Sequence, residues 1–350
     1  MNDSMSAMRI HHLGVLNEKF TGLRMDTIPI PSPAKGEVLI RVSVCGVCHT
    51  ELDEIENRSP PAVLPMTPGH QAVGTVVAEG DGCRQCLFGK TVGVAWIYSA
   101  CGRCRYCLDG SENLCPAFIA SGRDRAGGYA EFMTIPETFV HEIPASLADS
   151  AAAPLLCAGA VGYRALRMAG LNDGQALGLT GFGASGQLVL QVARKLYPKS
   201  RVHVFARSAV ERKLAIELGA AWTGDTAESP PEPLEAVIDT TPAWLPVLSA
   251  LSVLNPGGRL VINAIRKESG DLDQLAKLDF ERHLWREKRI QTVANVTRSD
   301  VRAILQLAEE MPLHSAITEY PLERALDALM AIRGGNIQGA GVLRIFPAGS

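Results

Sequence analysis

The sequence lacks the features that would send it into a membrane or out of the cell. No run of 18 or more apolar residues occurs, because Gly, Pro and polar side chains break the richest stretches, and this excludes an ordinary membrane-spanning helix. The opening residues, MNDSMSAMRIHHLGV, have no basic region followed by an apolar core, so they do not read as a secretory signal. Nowhere are Lys and Arg concentrated, and the net charge is only −3. Nucleic acid and anionic membrane are therefore poor partners. Internal repeats and low-complexity tracts are also missing. The expectation is a soluble, cytoplasmic protein whose partner is a small molecule.

What is present is an ordinary globular balance, with 47% apolar and 20% charged residues in a chain of 350. That length exceeds what one hydrophobic core usually serves, so two domains are expected. The first 150 residues read as short strands punctuated by turns: GEVLIRVSVCGV and AVGTVVAEG are β-rich, while PSPAKG and PPAVLPMTPG carry loop chemistry. Beyond that point strands alternate with helical stretches. ALGLTGF, RVHVFA, AVIDTT and GRLVINAI read as strands, with ASGQLVLQVARKLY and SAVERKLAIELGA as helices between them. Such alternation implies a doubly wound parallel sheet. The last 50 residues return to mixed character, with a helix at ERALDALMAIRGG and a strand at GVLRIF. The expected fold is α/β: a β-rich domain of residues 1–155 and 296–350, interrupted by a nucleotide-binding domain of residues 156–295.

Gly181-Phe182-Gly183-Ala184-Ser185-Gly186 is a GxGxxG motif. Alone it means little, but here it follows an expected strand and opens an expected helix. The glycines permit a tight turn and close backbone approach to a pyrophosphate, whose charge the helix N-terminus favours. About twenty residues on, a carboxylate normally holds the ribose 2′-hydroxyl of NAD(H). The strand RVHVFA ends instead in Ala206-Arg207-Ser208. Without an acid to repel a 2′-phosphate, and with Arg207 beside it, the site favours NADP(H) over NAD(H). The plainer alternative makes Arg207 a solvated residue at a helix start.

Nine cysteines in a chain of this size, with no export signal, point to metal binding or reduced thiols rather than disulfides. Cys101, Cys104, Cys107 and Cys115 fall within 15 residues. Four thiolates so spaced can close a tetrahedral structural zinc site, with iron–sulfur ligation or unliganded thiols as alternatives. A second set is dispersed over Cys48-His49-Thr50-Glu51, Gly69-His70-Gln71 and Leu156-Cys157-Ala158. Two cysteines and a histidine suit a catalytic zinc with an open fourth position, although a lone His or Cys is more often a packed side chain.

The runs GVCHTEL, GHQAVG, the four-cysteine stretch containing GSENLC, LLCAGA and GFGASG occur in the order found in zinc-containing alcohol dehydrogenases of the medium-chain dehydrogenase/reductase family. The chain resembles the bacterial members over essentially its whole length. That resemblance implies a GroES-like catalytic domain beside a Rossmann domain and two zinc ions per chain. Cys48, His70 and Cys157 would bind the catalytic zinc, and Cys101, Cys104, Cys107 and Cys115 the structural one. His49 would lie by the pyrophosphate together with the glycine loop. Thr50 would hydrogen-bond the substrate oxygen and accept its proton, and Glu51 would orient a ligand. The implied reaction is reversible hydride transfer between an alcohol and NADP(H) or NAD(H), in a homodimer or homotetramer.

Some positions depart from the family pattern. Gln71 stands for a glutamate, Asp53 for a proton-relaying histidine, and Ala340 for an arginine near the cofactor phosphates. An ionised Asp53 is a weak proton acceptor near neutral pH, so the proton would leave through water, with Asp53 orienting it or simply facing solvent. Cys83-x2-Cys86 is extra and reads as unrelated loop thiols or a redox pair. Trp96, Ile97 and Tyr98 are candidates for the substrate cleft, with core packing an equal alternative. Two other readings stand beside the alcohol dehydrogenase. A polyol dehydrogenase of the family usually carries glutamate where Cys157 stands, and a zinc-stabilised regulatory protein would have no turnover.

Overall fold

A computed structural model describes residues 3–346. The chain divides into two compact units: one runs to Cys157 and resumes at Asn295, the other is Ala158–Ala294. Among the described residues no helix is long and apolar enough to cross a membrane.

The first unit is organised by the strand Glu37–Val47, whose EVLIRVSVCGV run is mostly buried. Around it the strands lie in the order Ile317–Pro321, Ala340–Arg344, Glu37–Val47, Ala72–Glu79, Thr91–Val94 and Val140–Glu142, and Phe132–Pro136 also pairs with Glu37–Val47. Val38, Ile40, Val42, Val76, Val92 and Val94 build the core here. β-branched residues suit this pleated, buried surface. Gly341 pairs with Val47 on one side, and Ala72 with Cys45 on the other. The end of the central strand is thereby clamped just before Cys48.

Two helices of this unit owe their starts to side-chain caps rather than to apolar spacing. His49–Ile55 and Arg298–Glu310 each open with a capping box, Cys48 with Glu51 in the first and Thr297 with Asp300 in the second. A cap of this kind satisfies N–H groups that a helix start leaves without partners. In the first helix the same cap brings Cys48 and Glu51 together.

The second unit carries a six-stranded parallel sheet in the order Trp222–Gly224, Val202–Phe205, Leu177–Thr180, Leu234–Asp239, Leu254–Ile262 and Arg289–Thr292. Numbered along the chain, that order is 3-2-1-4-5-6, the doubly wound dinucleotide-binding arrangement. The direction of growth reverses between Leu177–Thr180 and Leu234–Asp239. Ligands bind such sheets beyond the carboxyl ends of the strands at this reversal, and the glycine loop begins there at Gly181.

Candidate functional site

The dispersed metal set comes together around one carboxylate. Cys48 caps the helix His49–Ile55, and its backbone N–H donates to Glu51 Oε2 at 2.8 Å. The other oxygen, Oε1, lies 2.7 Å from His70 Nδ1. This contact turns Nε2 of the buried imidazole toward Cys48 Sγ, 3.7 Å away. Cys157 completes the group: one ligand atom from each of Cys48, His70 and Cys157 lies within 4.8 Å of the others. A sulfur and a nitrogen on one tetrahedral zinc would stand roughly 3.5 Å apart given ordinary bond lengths. The donor set therefore fits zinc. A carboxylate on the far nitrogen of a ligating histidine is also the usual supporting arrangement. Thr50 is buried, with Oγ1 3.2 Å from Cys48 Sγ. His49 is exposed.

The second set is local. Cys101, Cys104, Cys107 and Cys115 offer four sulfurs within 4.8 Å of one another. Cys101 and Cys107 are 3.9 Å apart, and Cys104 and Cys107 3.6 Å. Two thiolates on one tetrahedral zinc stand about 3.8 Å apart. Backbone N–H groups of Arg103 and Cys104 pull the Cys101 thiol down to about 6. Burial and the neighbouring Cys104 push Cys107 up to about 12. Four sulfurs this close cannot all ionise without a cation among them. Beside the cluster, the buried Glu112 accepts from the backbone N–H and Nε of Arg298 at 2.9 and 3.1 Å.

In the second unit, Gly181 has φ +81° and Gly183 caps the helix Ala184–Leu196. A Cβ on Gly181 would meet Thr240 Oγ1 at 2.6 Å, and one on Gly186 the Gly181 carbonyl oxygen at 2.7 Å. Among the described residues nothing lies within 4 Å of a Cβ built on Gly183, so the backbone there is open to a ligand. Ser185 instead donates through Oγ to the Ala158 carbonyl and accepts from Asn263 Nδ2. Arg207 and Ser208 are exposed past the end of Val202–Phe205. Sequence reasoning misses Arg212, whose Nη1 donates to the Ala206 and Arg207 carbonyls at 2.6 and 2.9 Å. It also misses Asp225, 3.8 Å from Arg212. An acid does stand near this strand end, just past the neighbouring strand Trp222–Gly224 rather than on its own.

Other expectations change. Asp53 does not face solvent: it is 3% exposed and takes Arg58 Nε at 2.6 Å. Ile97 and Tyr98 belong to the core, and the Tyr98 hydroxyl donates to Glu37 at 2.5 Å. Trp96 packs on Phe118 under the Arg123 guanidinium. Cys83 donates to the Glu37 carbonyl and Cys86 is exposed; neither joins a metal-binding group among the described residues. Glu54, which no sequence signal singles out, is 1% exposed, and neither of its carboxylate oxygens has a partner among the described residues. Burial, reinforced by Glu51, raises its carboxyl well above the usual range.

Comparison with known proteins places the chain in a family. Residues 34–145 match the alcohol dehydrogenase GroES-like domain. A probable alcohol dehydrogenase of Mycobacterium tuberculosis is 41% identical over 348 residues, 98% of each chain. An alcohol dehydrogenase of Geobacillus stearothermophilus is 31% identical over 334 residues, 92% of this chain and 96% of that one. The fold is shared with a thermostable alcohol dehydrogenase from Pyrobaculum aerophilum, solved with cobalt and zinc bound, at a TM-score of 0.86, 24% identity and coverage of 98% and 100%.

Proposed function

The chain belongs to the zinc-containing alcohol dehydrogenases of the medium-chain family, and from that premise we propose that it moves hydride reversibly between a primary or secondary alcohol and a nicotinamide dinucleotide, NADP(H) ahead of NAD(H). The observation that carries this reading is the Glu51 carboxylate, which orients Cys48 and His70 at once. On this reading Cys48, His70 and Cys157 hold the catalytic zinc, and Cys101, Cys104, Cys107 and Cys115 hold the structural one. Zinc, when bound, eases loss of a hydroxyl proton and polarises a carbonyl.

The chain's own groups do the rest. Thr50, buried beside Cys48, accepts the hydrogen bond of the substrate hydroxyl, and its Oγ1 is the first station for the departing proton. The open backbone at Gly183 and the N-terminus of Ala184–Leu196 take the pyrophosphate, to which the family resemblance also assigns His49. Arg207, exposed past the strand end, meets a 2′-phosphate. The fully exposed edge strand Arg289–Thr292 supports a homo-oligomer. A panel of primary and secondary alcohols, each run with both dinucleotides, tests the reading. No reduction of either dinucleotide by protein loaded with two zinc ions would overturn it.

A further inference from the structure

Beyond the glycine loop, the second unit holds a buried charge pair whose bonds all run to the carboxyl ends of its central strands. Asp239 ends the strand Leu234–Asp239 and is fully buried. Its Oδ1 accepts from Thr180 Oγ1 at 2.6 Å, from the Thr241 backbone N–H at 3.1 Å and from Thr241 Oγ1 at 2.8 Å. Its other oxygen takes Nζ of Lys267, which comes from the segment after the strand Leu254–Ile262. Lys267 donates its two remaining protons to the Thr241 and Ala243 carbonyls, each at 2.8 Å. All three ammonium donors are thus satisfied.

These contacts reach the glycine turn. Thr240 Oγ1 donates to the Thr180 carbonyl and is the atom a Cβ on Gly181 would strike. Asn263 donates its backbone N–H to the Asp239 carbonyl and its side chain to Ser185 on the helix that Gly183 caps. The Glu268 backbone N–H donates to the Pro242 carbonyl, so the loop 240–243 is held along its length. A buried ion pair is weak evidence of a stabilising role, since apolar replacements often match it. This pair ties together the loops that follow three adjacent strands at the sheet's reversal, where a dinucleotide binds.

We propose that, on the dinucleotide-binding reading given above, Lys267 acts through Asp239 as a positioning residue for the dinucleotide: it fixes the loops after Leu177–Thr180, Leu234–Asp239 and Leu254–Ile262 in the conformation the ligand meets. Binding of NADPH and NADH to the zinc-loaded protein, followed by fluorescence, tests it alongside thermal unfolding and steady-state rates. Lys267→Met should weaken dinucleotide binding at least tenfold and raise its KM in step, while kcat at saturation changes by less than threefold. Because Lys267→Met leaves Asp239 buried and unpaired, it also lowers the unfolding temperature. The double variant Asp239→Asn with Lys267→Met removes both charges and keeps an acceptor for Thr180 and Thr241. It should recover most of the unfolding temperature without recovering dinucleotide affinity, since the Thr241 and Ala243 carbonyls remain untied. Native affinity in the double variant, or a change below twofold in Lys267→Met, would overturn the proposal. Failure of the unaltered protein to bind either dinucleotide would remove the site itself, and this inference with it.

Discussion

Glu51 and His70 meet at 2.7 Å with their side chains 0% and 1% exposed, so the imidazole is fixed by a carboxylate that water does not reach. The same carboxylate takes the Cys48 backbone N–H. Glu51→Gln keeps the shape and removes the charge. Supporting carboxylates of this kind are worth roughly 10–100-fold in metal affinity, so the variant should lose zinc from one site to a chelator that leaves the native protein intact. Retention of two zinc ions under the same chelator would show that Glu51 is not needed for holding the metal.

The four-cysteine cluster should act through folding instead. A structural zinc contributes folding energy directly, and Cys104→Ser removes one of its four sulfurs. Elemental analysis of the native protein should give two zinc ions per chain. The variant should lose one of them and unfold at lower temperature, with kcat of the surviving folded fraction close to native. An unchanged unfolding temperature would contradict this assignment.

Cofactor choice should turn on Arg207. A hydrogen bond to a charged group is worth about 1.5–3 kcal/mol, so Arg207→Ala should raise KM for NADP(H) by about 10–100-fold. KM for NAD(H) should move by no more than about twofold. Equal efficiency of the native protein with both dinucleotides would remove the basis for this expectation.

Asp53 should matter to stability and not to proton release. It is held by Arg58, which is partly exposed, so Asp53→Asn should cost about 1–2 kcal/mol, between the ranges for surface and buried pairs. The pH profile of alcohol oxidation should keep its shape. Loss of turnover in Asp53→Asn with both zinc ions bound would make Asp53 an obligatory relay group.

His141 should set part of the acid sensitivity. Burial first, then Arg302 and Arg298, pulls its pKa from 6.5 to about 3. Below about pH 6.5 the unfolded chain takes up a proton that the folded chain refuses, so stability falls as pH drops through that window. At pH 5 the loss is roughly 2 kcal/mol for this one residue. His141→Phe should flatten the dependence of unfolding temperature on pH between about 6.5 and 4.5. Parallel curves for native protein and variant would rule the effect out.

The candidate metal groups are legible because four thiols within 15 residues can surround one ion, where the lone pair Cys83 and Cys86 cannot, and because Cys48, His70 and Cys157 each sit in a recognisable run. The strands of the second unit were legible from apolar runs alternating with helical spacing. Partnerships between distant residues were not. Nothing in the sequence joins Glu112 to Arg298 or Asp239 to Lys267, since such pairs depend on how segments distant in the chain pack together. The solvent-facing alternative for Asp53 fails for a local reason: Arg58 reaches back from just past the helix end. Arg212 was overlooked because only the folded helix brings its guanidinium to the strand end beside Asp225.

The pairing of Gly341 with Val47 has a consequence for synthesis. The strand that steadies the approach to Cys48 leaves the ribosome long after Cys48 itself, by roughly 15–60 s at ordinary elongation rates. The sulfurs of Cys101 to Cys115 emerge together and can capture a metal at once. The second unit, being continuous in the chain, can also complete itself first. During translation the edge of Glu37–Val47 that later receives Ala340–Arg344 stays open, with Cys48 at its end. Until Ala340–Arg344 is made, that edge of the strand leading to Cys48 has no partner, whereas the four sulfurs of Cys101 to Cys115 lie close together in sequence and need no segment so distant.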